Sequence, residues 1–176
     1  MSLILGPDRE CDYLDERNED FSNEDFGSSS FVDCTFVDCN FSSSDFSSSS
    51  FSRCKFVSCL FKGTLFSKVR MKDVKIENST FLYVSFDNSD LKNSGIYNSK
   101  INDGSFNEVS CKNFSLHSDN LSGTSFKGTS LSFISLKMSD IGGIYLSEGA
   151  KELKGAKLDV SQAIDAARLM GVEIIE

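Results

Sequence analysis

Proline is almost missing from this chain of 176 residues: Pro7 is the only one, and His117 is the only histidine. No apolar run approaches the roughly 20 residues needed to cross a bilayer. Each scarcity excludes something. With a single histidine, no glycine-rich phosphate loop, no metal-spaced set of histidines and carboxylates and no nucleophile elbow, the chain carries no catalytic constellation. A non-enzymatic protein without cofactor or metal is expected. The apolar stretch Leu3-Ile4-Leu5 is too brief for a secretory signal and is followed at once by Gly6-Pro7. A cytoplasmic protein without membrane association is therefore expected. Hydrophobic residues make up only 39% of the chain, and the run Ser42-Ser43-Ser44-Asp45-Phe46-Ser47-Ser48-Ser49-Ser50-Phe51 reads by composition as a linker.

One regularity overrides that composition. Over residues 21–146 every fifth position is a large apolar side chain or cysteine, without a slip of phase. The series contains Phe21, Phe26, Phe31, Phe36, Phe41, Phe46, Phe51, Phe56, Phe61, Phe66, Phe81, Phe86, Phe106 and Phe126, with Met, Ile, Leu and Cys111 at the centres between them. A period of five fits neither a helix at 3.6 nor a strand at 2, so it is read as a repeat architecture. Two residues before each centre lies a second column of mostly small residues, among them Ser29, Cys34, Cys39, Ser44, Ser49, Cys54, Cys59 and Thr64. Each unit thus supplies one large and one small inward group, and three polar positions. The serine run keeps its phenylalanines in phase, which removes the linker reading.

Units such as Cys34-Thr35-Phe36-Val37-Asp38 and Ser89-Asp90-Leu91-Lys92-Asn93 resemble those of pentapeptide-repeat proteins. The resemblance implies an all-β fold, a right-handed quadrilateral β-helix with four pentapeptides per coil, closed by a short C-terminal α-helix. Three segments are expected: an acidic N-terminal cap at 1–20, where Glu16 falls out of phase, the β-helix at 21–158, and a capping or dimerisation helix with a tail at 159–176. Caps are needed because an open solenoid end exposes apolar rungs and unpaired backbone. Pro7 stays outside the repeats, where it would remove a ladder donor.

Departures from the pattern are few. Cys111 is a small centre while Phe114 is large in the small column, which suggests an exchange of volume within one coil. Glu24 and Asp119 fall in the inward small column, where a charge needs hydrogen-bond partners or a kink. Cys34, Cys39, Cys54 and Cys59 fall there too and read as packing thiols, with a metal set or a disulfide between rungs as the alternative.

The C-terminal segment carries helix signals. Asp159 or Ser161 suits an N-cap, Gln162 completes a capping-box spacing from Asp159, and Gly171 suits the stop. Val160, Ala163, Ile164, Ala167 and Met170 share an apolar face. That face either covers the last coil or joins two copies. Leu153 and Leu158 resume the five-residue spacing two residues out of step.

This C-terminal end, Gly155-Ala156-Lys157-Leu158-Asp159 followed by Gln162-Ala163 and Leu169-Met170-Gly171-Val172, resembles that of the Qnr and Mfp type of pentapeptide protein. The resemblance implies a homodimer joined through the helix, a rod-shaped DNA mimic that binds DNA gyrase or topoisomerase IV and protects or inhibits it. Mimicry requires carboxylates spaced along a rod. The formal net charge is −8, but nine of the acids lie in residues 1–25, and residues 26–147 hold 11 acids against 12 Lys and Arg. Sorted by face, Asp25, Asp45, Asp87, Glu108 and Glu148 form the candidate partner-binding set, opposed by Lys68 and Lys127. A basic cluster of Arg53, Lys55, Lys62, Lys68, Arg70, Lys72 and Lys75 crosses the middle. The alternative function is a pentapeptide-repeat scaffold with another protein partner. Direct nucleic-acid binding is not expected, given the acidity and the lack of aromatic platforms.

Overall fold

The computed structural model describes residues 6–117 and 120–175. Among them the chain winds as a parallel β-solenoid of twenty-residue coils, and the five-residue unit sets each of four faces. Short parallel strands stack in register on three faces, for example Phe31 on Phe51 and Phe36 on Phe56. Two of the sheets run six strands deep and the third runs three. The second face, centred on Phe26 and Phe46, is joined by isolated bridges such as Asp25 to Asp45 and Ser85 to Ser105.

The reason for the two inward columns is visible at each rung. Phenylalanines on one face stack with ring centroids 4.6–5.4 Å apart and planes within 24°. Rings of adjacent faces in one coil meet edge to face, as in Phe21 with Phe26 and Phe26 with Phe31. Both arrangements suit the ring quadrupole. All fourteen ladder phenylalanines are buried. The small residues close the remaining gap and tie coils together. Ser49 Oγ donates to the Phe26 carbonyl at 2.7 Å, Thr64 Oγ1 to Phe41 at 2.7 Å and Ser89 Oγ to Phe66 at 2.8 Å. An inward hydroxyl is thereby satisfied inside an apolar column.

The corners impose a third rule that composition conceals. Among the described residues, the position two after the centres from Cys11 to Ile141 is left-handed, as at Asp33 (φ 56), Asn78 (φ 52) and Asn93 (φ 50). Asn and Asp tolerate this conformation, which accounts for many of the polar positions. Bulkier residues also occupy corners, notably Tyr13, Tyr83 and Phe133.

The solenoid begins earlier than the expected boundary at residue 20. Glu10–Asp12 pairs in parallel with Ser30–Val32, and Asp15–Arg17 with Thr35–Val37. Cys11 is a buried centre beneath Phe31, and Glu16 is a half-buried one beneath Phe36. The phase continues downward, with Glu16 at a centre keeping partial access to water. Glu24, expected inward, is exposed. The expected strand at Leu3-Ile4-Leu5 and the inward Asp119 lie outside the described residues.

At the other end the register shifts. Ser135 pairs with Lys157, a separation of 22, so Leu153 and Leu158 follow two residues late. The extra pair is absorbed in a 3₁₀ segment, Glu148–Leu153, where Gly149 and Ala150 have φ 73 and 49. Glu152 repairs the interrupted ladder: its Oε1 accepts Gly128 N at 2.9 Å and its Oε2 accepts Ser147 N at 3.2 Å. Burial pushes this carboxyl up, but the donors from Ser147 and Gly128 outweigh it and hold the group below its usual range.

Helix α1 (Val160–Leu169) then closes the end. Asp159 Oδ1 accepts Gln162 N at 3.1 Å and Gln162 Oε1 accepts Asp159 N at 3.0 Å, a reciprocal capping box. Gly171 (φ 80) ends it, with Val172 N donating to Ala167 O and Gly171 N to Arg168 O.

Candidate functional site

The end of the rod is built from α1 and the turns beneath it. Gln162 and Ala166 are buried, and Gln162 Nε2 donates to the carbonyls of Leu136 and Ser139, which ties the helix to the last coil. The apolar face read from the sequence points the other way. Val160 is 85% exposed, Met170 59% and Ile164 41%; Ala163 is exposed and Ala167 half-buried. Covering of the last coil therefore falls to the opposite side of the helix from the one assigned to it. Phe133 (81% exposed) and Met138 (68%) lie in the same end region, Met138 N donating to Asp159 Oδ2. Sequence pattern missed both, since neither lies on a centre or in the small column. Their left-handed corner positions are the signal, because a large side chain there contributes nothing to the core.

The structure does not bring the five candidate acids into one ladder. Asp25 and Asp45 precede their centres and stack as neighbours. The same column then continues as Leu65, Ser85, Ser105 and Ser125, ending at Tyr145. Asp87 follows its centre, Glu108 sits at a corner, and Glu148 opens the 3₁₀ segment. Two of these carboxylates hold their own turns, Asp25 accepting Gly27 N at 2.8 Å and Asp45 accepting Ser47 N at 2.7 Å, while Asp87 holds the turn of the coil above, accepting Asn107 N at 2.8 Å and the Ser105 hydroxyl. Their spacing follows turn chemistry.

One corner column forms a different ladder. Arg53 is bidentate to Asp33, with Nε and Nη2 each 2.7 Å from an oxygen, which holds the Asp33 carboxyl below its usual range. Further up, Asn93 donates to Asp73 at 3.2 Å and Asn113 to Asn93 at 3.0 Å. On the next face Lys75 and Lys55 both reach Glu77, at 2.7 and 3.2 Å, and lower its carboxyl, Lys75 more strongly.

The inward thiols behave as packing groups. Cys34, Cys39, Cys54 and Cys59 are buried and free, and their sulfurs contact carbonyls of the coil below, Cys54 Sγ that of Phe31 at 3.3 Å. Burial pushes Cys59 up to about 12. Phe114 is buried and Cys111 half-buried, so the ring takes the room the smaller centre leaves. Among the described residues no three of His, Cys, Asp and Glu are placed to hold a metal ion, and no helix is long and apolar enough to cross a membrane. Among the described residues one depression lies beside Glu108, Thr129 and Lys151 and another beside Cys111, Lys112, Asn113 and Phe133.

Residues 17–86 match the family model described as a pentapeptide repeat region. That match spans the lower coils, and the same twenty-residue spacing continues above it. No curated protein matches its sequence. Among solved structures, full-length QnrB1, a plasmid-mediated fluoroquinolone resistance protein, is 17% identical, with 93% of this chain and 100% of that chain covered and a TM-score of 0.37. HetL, a pentapeptide-repeat protein involved in heterocyst differentiation regulation from the cyanobacterium Nostoc sp. strain PCC 7120, is 11% identical over 88% and 87% at a TM-score of 0.35. A pentapeptide-repeat protein of the Arabidopsis thaliana thylakoid lumen is 18% identical over 87% and 77% at 0.27. Identity at this level says nothing about what the rod binds.

Proposed function

We propose that this pentapeptide-repeat rod is a non-catalytic binding protein that pairs two copies end to end through α1 and engages a protein partner. The supporting observation is the helix itself. It spends Gln162 and Ala166 on its own coil and leaves Val160, Ile164 and Met170 facing outward. An apolar helix face in water is the usual mark of a surface that a partner covers. Met170→Asp places a charge in that contact and is expected to convert a dimer to a monomer, read by sedimentation. An unchanged mass would remove the pairing.

DNA gyrase or topoisomerase IV is the partner that the C-terminal resemblance implies. The experiment is a supercoiling assay with the protein titrated in, with and without a fluoroquinolone. Inhibition, or protection from the drug, is the expected outcome; no effect in either arm would sink this assignment. A second reading, a scaffold for some other protein, is favoured by the broken acidic column, in which Leu65, Ser85, Ser105 and Ser125 replace carboxylates. A DNA mimic draws on continuous negative charge, which this face lacks.

A further inference from the structure

The basic residues in the middle of the rod separate into two populations. Arg53 is held by Asp33, Lys55 and Lys75 share Glu77, and Lys75 also lies 5.4 Å over the Tyr97 ring. Arg70, Lys72, Lys92 and Lys112 take part in none of the ion pairs among the described residues. All four are exposed. Lys72, Lys92 and Lys112 are direct register partners in three adjacent parallel strands, Arg70–Lys72, Asp90–Lys92 and Ser110–Lys112. Their ammonium stems therefore leave the same face one rung apart, about 4.8 Å at the backbone.

Like charges directly opposite one another weaken a sheet. The fold does not require them, because the same column carries Val32 and Ser52 in the coils below. Compensation on this face falls to Arg70, whose register partner is Asp90; Asp73 accepts from Asn93, and neither carboxylate forms an ion pair with the three lysines among the described residues. Lys55 and Lys75, also register partners, share Glu77 between them. Here three positive groups stack unpaired.

We propose that the Lys72, Lys92 and Lys112 ladder, with Arg70 beside it, is a docking surface for an extended acidic protein segment. An extended strand laid along the rod axis presents one face every two residues, about 6.8 Å. Flexible four-carbon lysine stems bridge the difference between that repeat and the rung spacing. Nucleic acid fits less well. Phe133 beside Lys112 offers one aromatic platform at the top of the ladder, whereas a run of bases needs one at successive rungs, and no exposed aromatic side chain lies on the three strands themselves. This surface is separate from α1 and from the acidic residues, so its fate does not depend on the topoisomerase assignment.

The test is fluorescence anisotropy of a labelled oligoglutamate peptide titrated with the full chain. Two triple variants remove the same charge. Lys72→Ser with Lys92→Ser and Lys112→Ser clears the ladder, using the residue the column already holds at Ser52. Lys62→Ser with Lys100→Ser and Lys127→Ser clears other faces. The ladder variant is expected to lose about tenfold in affinity and the control less than about twofold, with binding of the parent weakened by salt. Equal losses in both triples, no saturable binding by the parent, or tighter binding of an oligothymidylate than of oligoglutamate would each overturn the proposal. Thermal melts of both triples verify folding, and the single Lys92→Ser at the middle rung repeats the test should a triple fail to fold.

Discussion

The lower and upper parts of the rod reach the same coil by different means. Up to Phe66 every centre from Phe21 is a stacked phenylalanine, and short strands pair on the faces between. Above His117 the centres are mainly leucine and isoleucine, no strand forms among the described residues, and tight turns occupy every face, with Thr124 N donating to Leu121 O and Ile134 N to Leu131 O. Yet the twenty-residue separation persists, in Ser105 with Ser125 and Ser125 with Tyr145. The geometry of the coil is therefore carried by the backbone ladder and the small-residue clasps, which both regions share. Aromatic stacking adds energy to the lower part without setting its shape.

The sharpest way to break that comparison is to remove a ring from the middle of a stack. Phe66 is fully buried and lies 5.1 Å from the Phe46 ring and 4.7 Å from the Phe86 ring. Phe66→Ala is expected to cost about 3–5 kcal/mol in urea melts, by lost transfer energy and an uncollapsed cavity. Leu121→Ala, equally buried in the upper part, falls lower in the range of about 2–5 kcal/mol, because it removes less volume and no stacked pair. Parent-like stability of the Phe66 variant would show that the inner column is not where the energy lies.

The division between what the pattern reveals and what it hides follows from where each constraint acts. The five-residue phase is a packing constraint and is written directly into Phe21 to Phe126. The capping box of Asp159 and Gln162 is equally legible, because one local turn decides it. The start of the rod is not, since Glu16 breaks the apolar series at a centre that keeps partial access to water. The direction of α1 depends on a single buried Gln162 finding the carbonyls of Leu136 and Ser139, a choice that apolar periodicity ranks the wrong way round. Charge sorting by face fails for a related reason. Asp25, Asp45 and Asp87 are spent on turn N–H groups, Arg53 and Lys55 on partners one rung away and Lys75 on Glu77 of its own strand, so only contacts reveal that Lys72, Lys92 and Lys112 stand unpaired.

A milder perturbation acts on the upper end alone. Asp159 is held down to about 2, first by the Ser161 hydroxyl and then by the Gln162 and Met138 N–H groups, against an ordinary value of 3.8. A carboxyl held low in the folded form contributes its full stabilisation above 3.8 and loses it as pH falls through about 2. Acidification across that window should unfasten α1 while the stacked coils persist. Far-ultraviolet circular dichroism would report loss of the helical component before any loss of β signal. Simultaneous loss of both would mean that the two ends of the rod melt as one unit.

The smallest expected effect tests whether the small column is defined by size or by element. Cys54 and Ser49 occupy equivalent positions on adjacent faces of the lower part, and each donates to the centre carbonyl 23 residues earlier, Cys54 to Phe31 at 3.3 Å and Ser49 to Phe26 at 2.7 Å. A hydroxyl at residue 54 therefore finds a ready acceptor and leaves no polar group unpaired. Cys54→Ser exchanges a polarisable sulfur for a shorter, stronger hydrogen bond, and the two changes oppose each other, so a shift under about 1 kcal/mol is expected. Cys54→Val fills similar space but removes the clasp, and Val69 and Val74 already occupy this column, so a similar tolerance would show that volume suffices. A loss of more than about 2 kcal/mol in the serine variant with the valine variant unaffected would mean that dry packing, and not the clasp, holds the lower coils together.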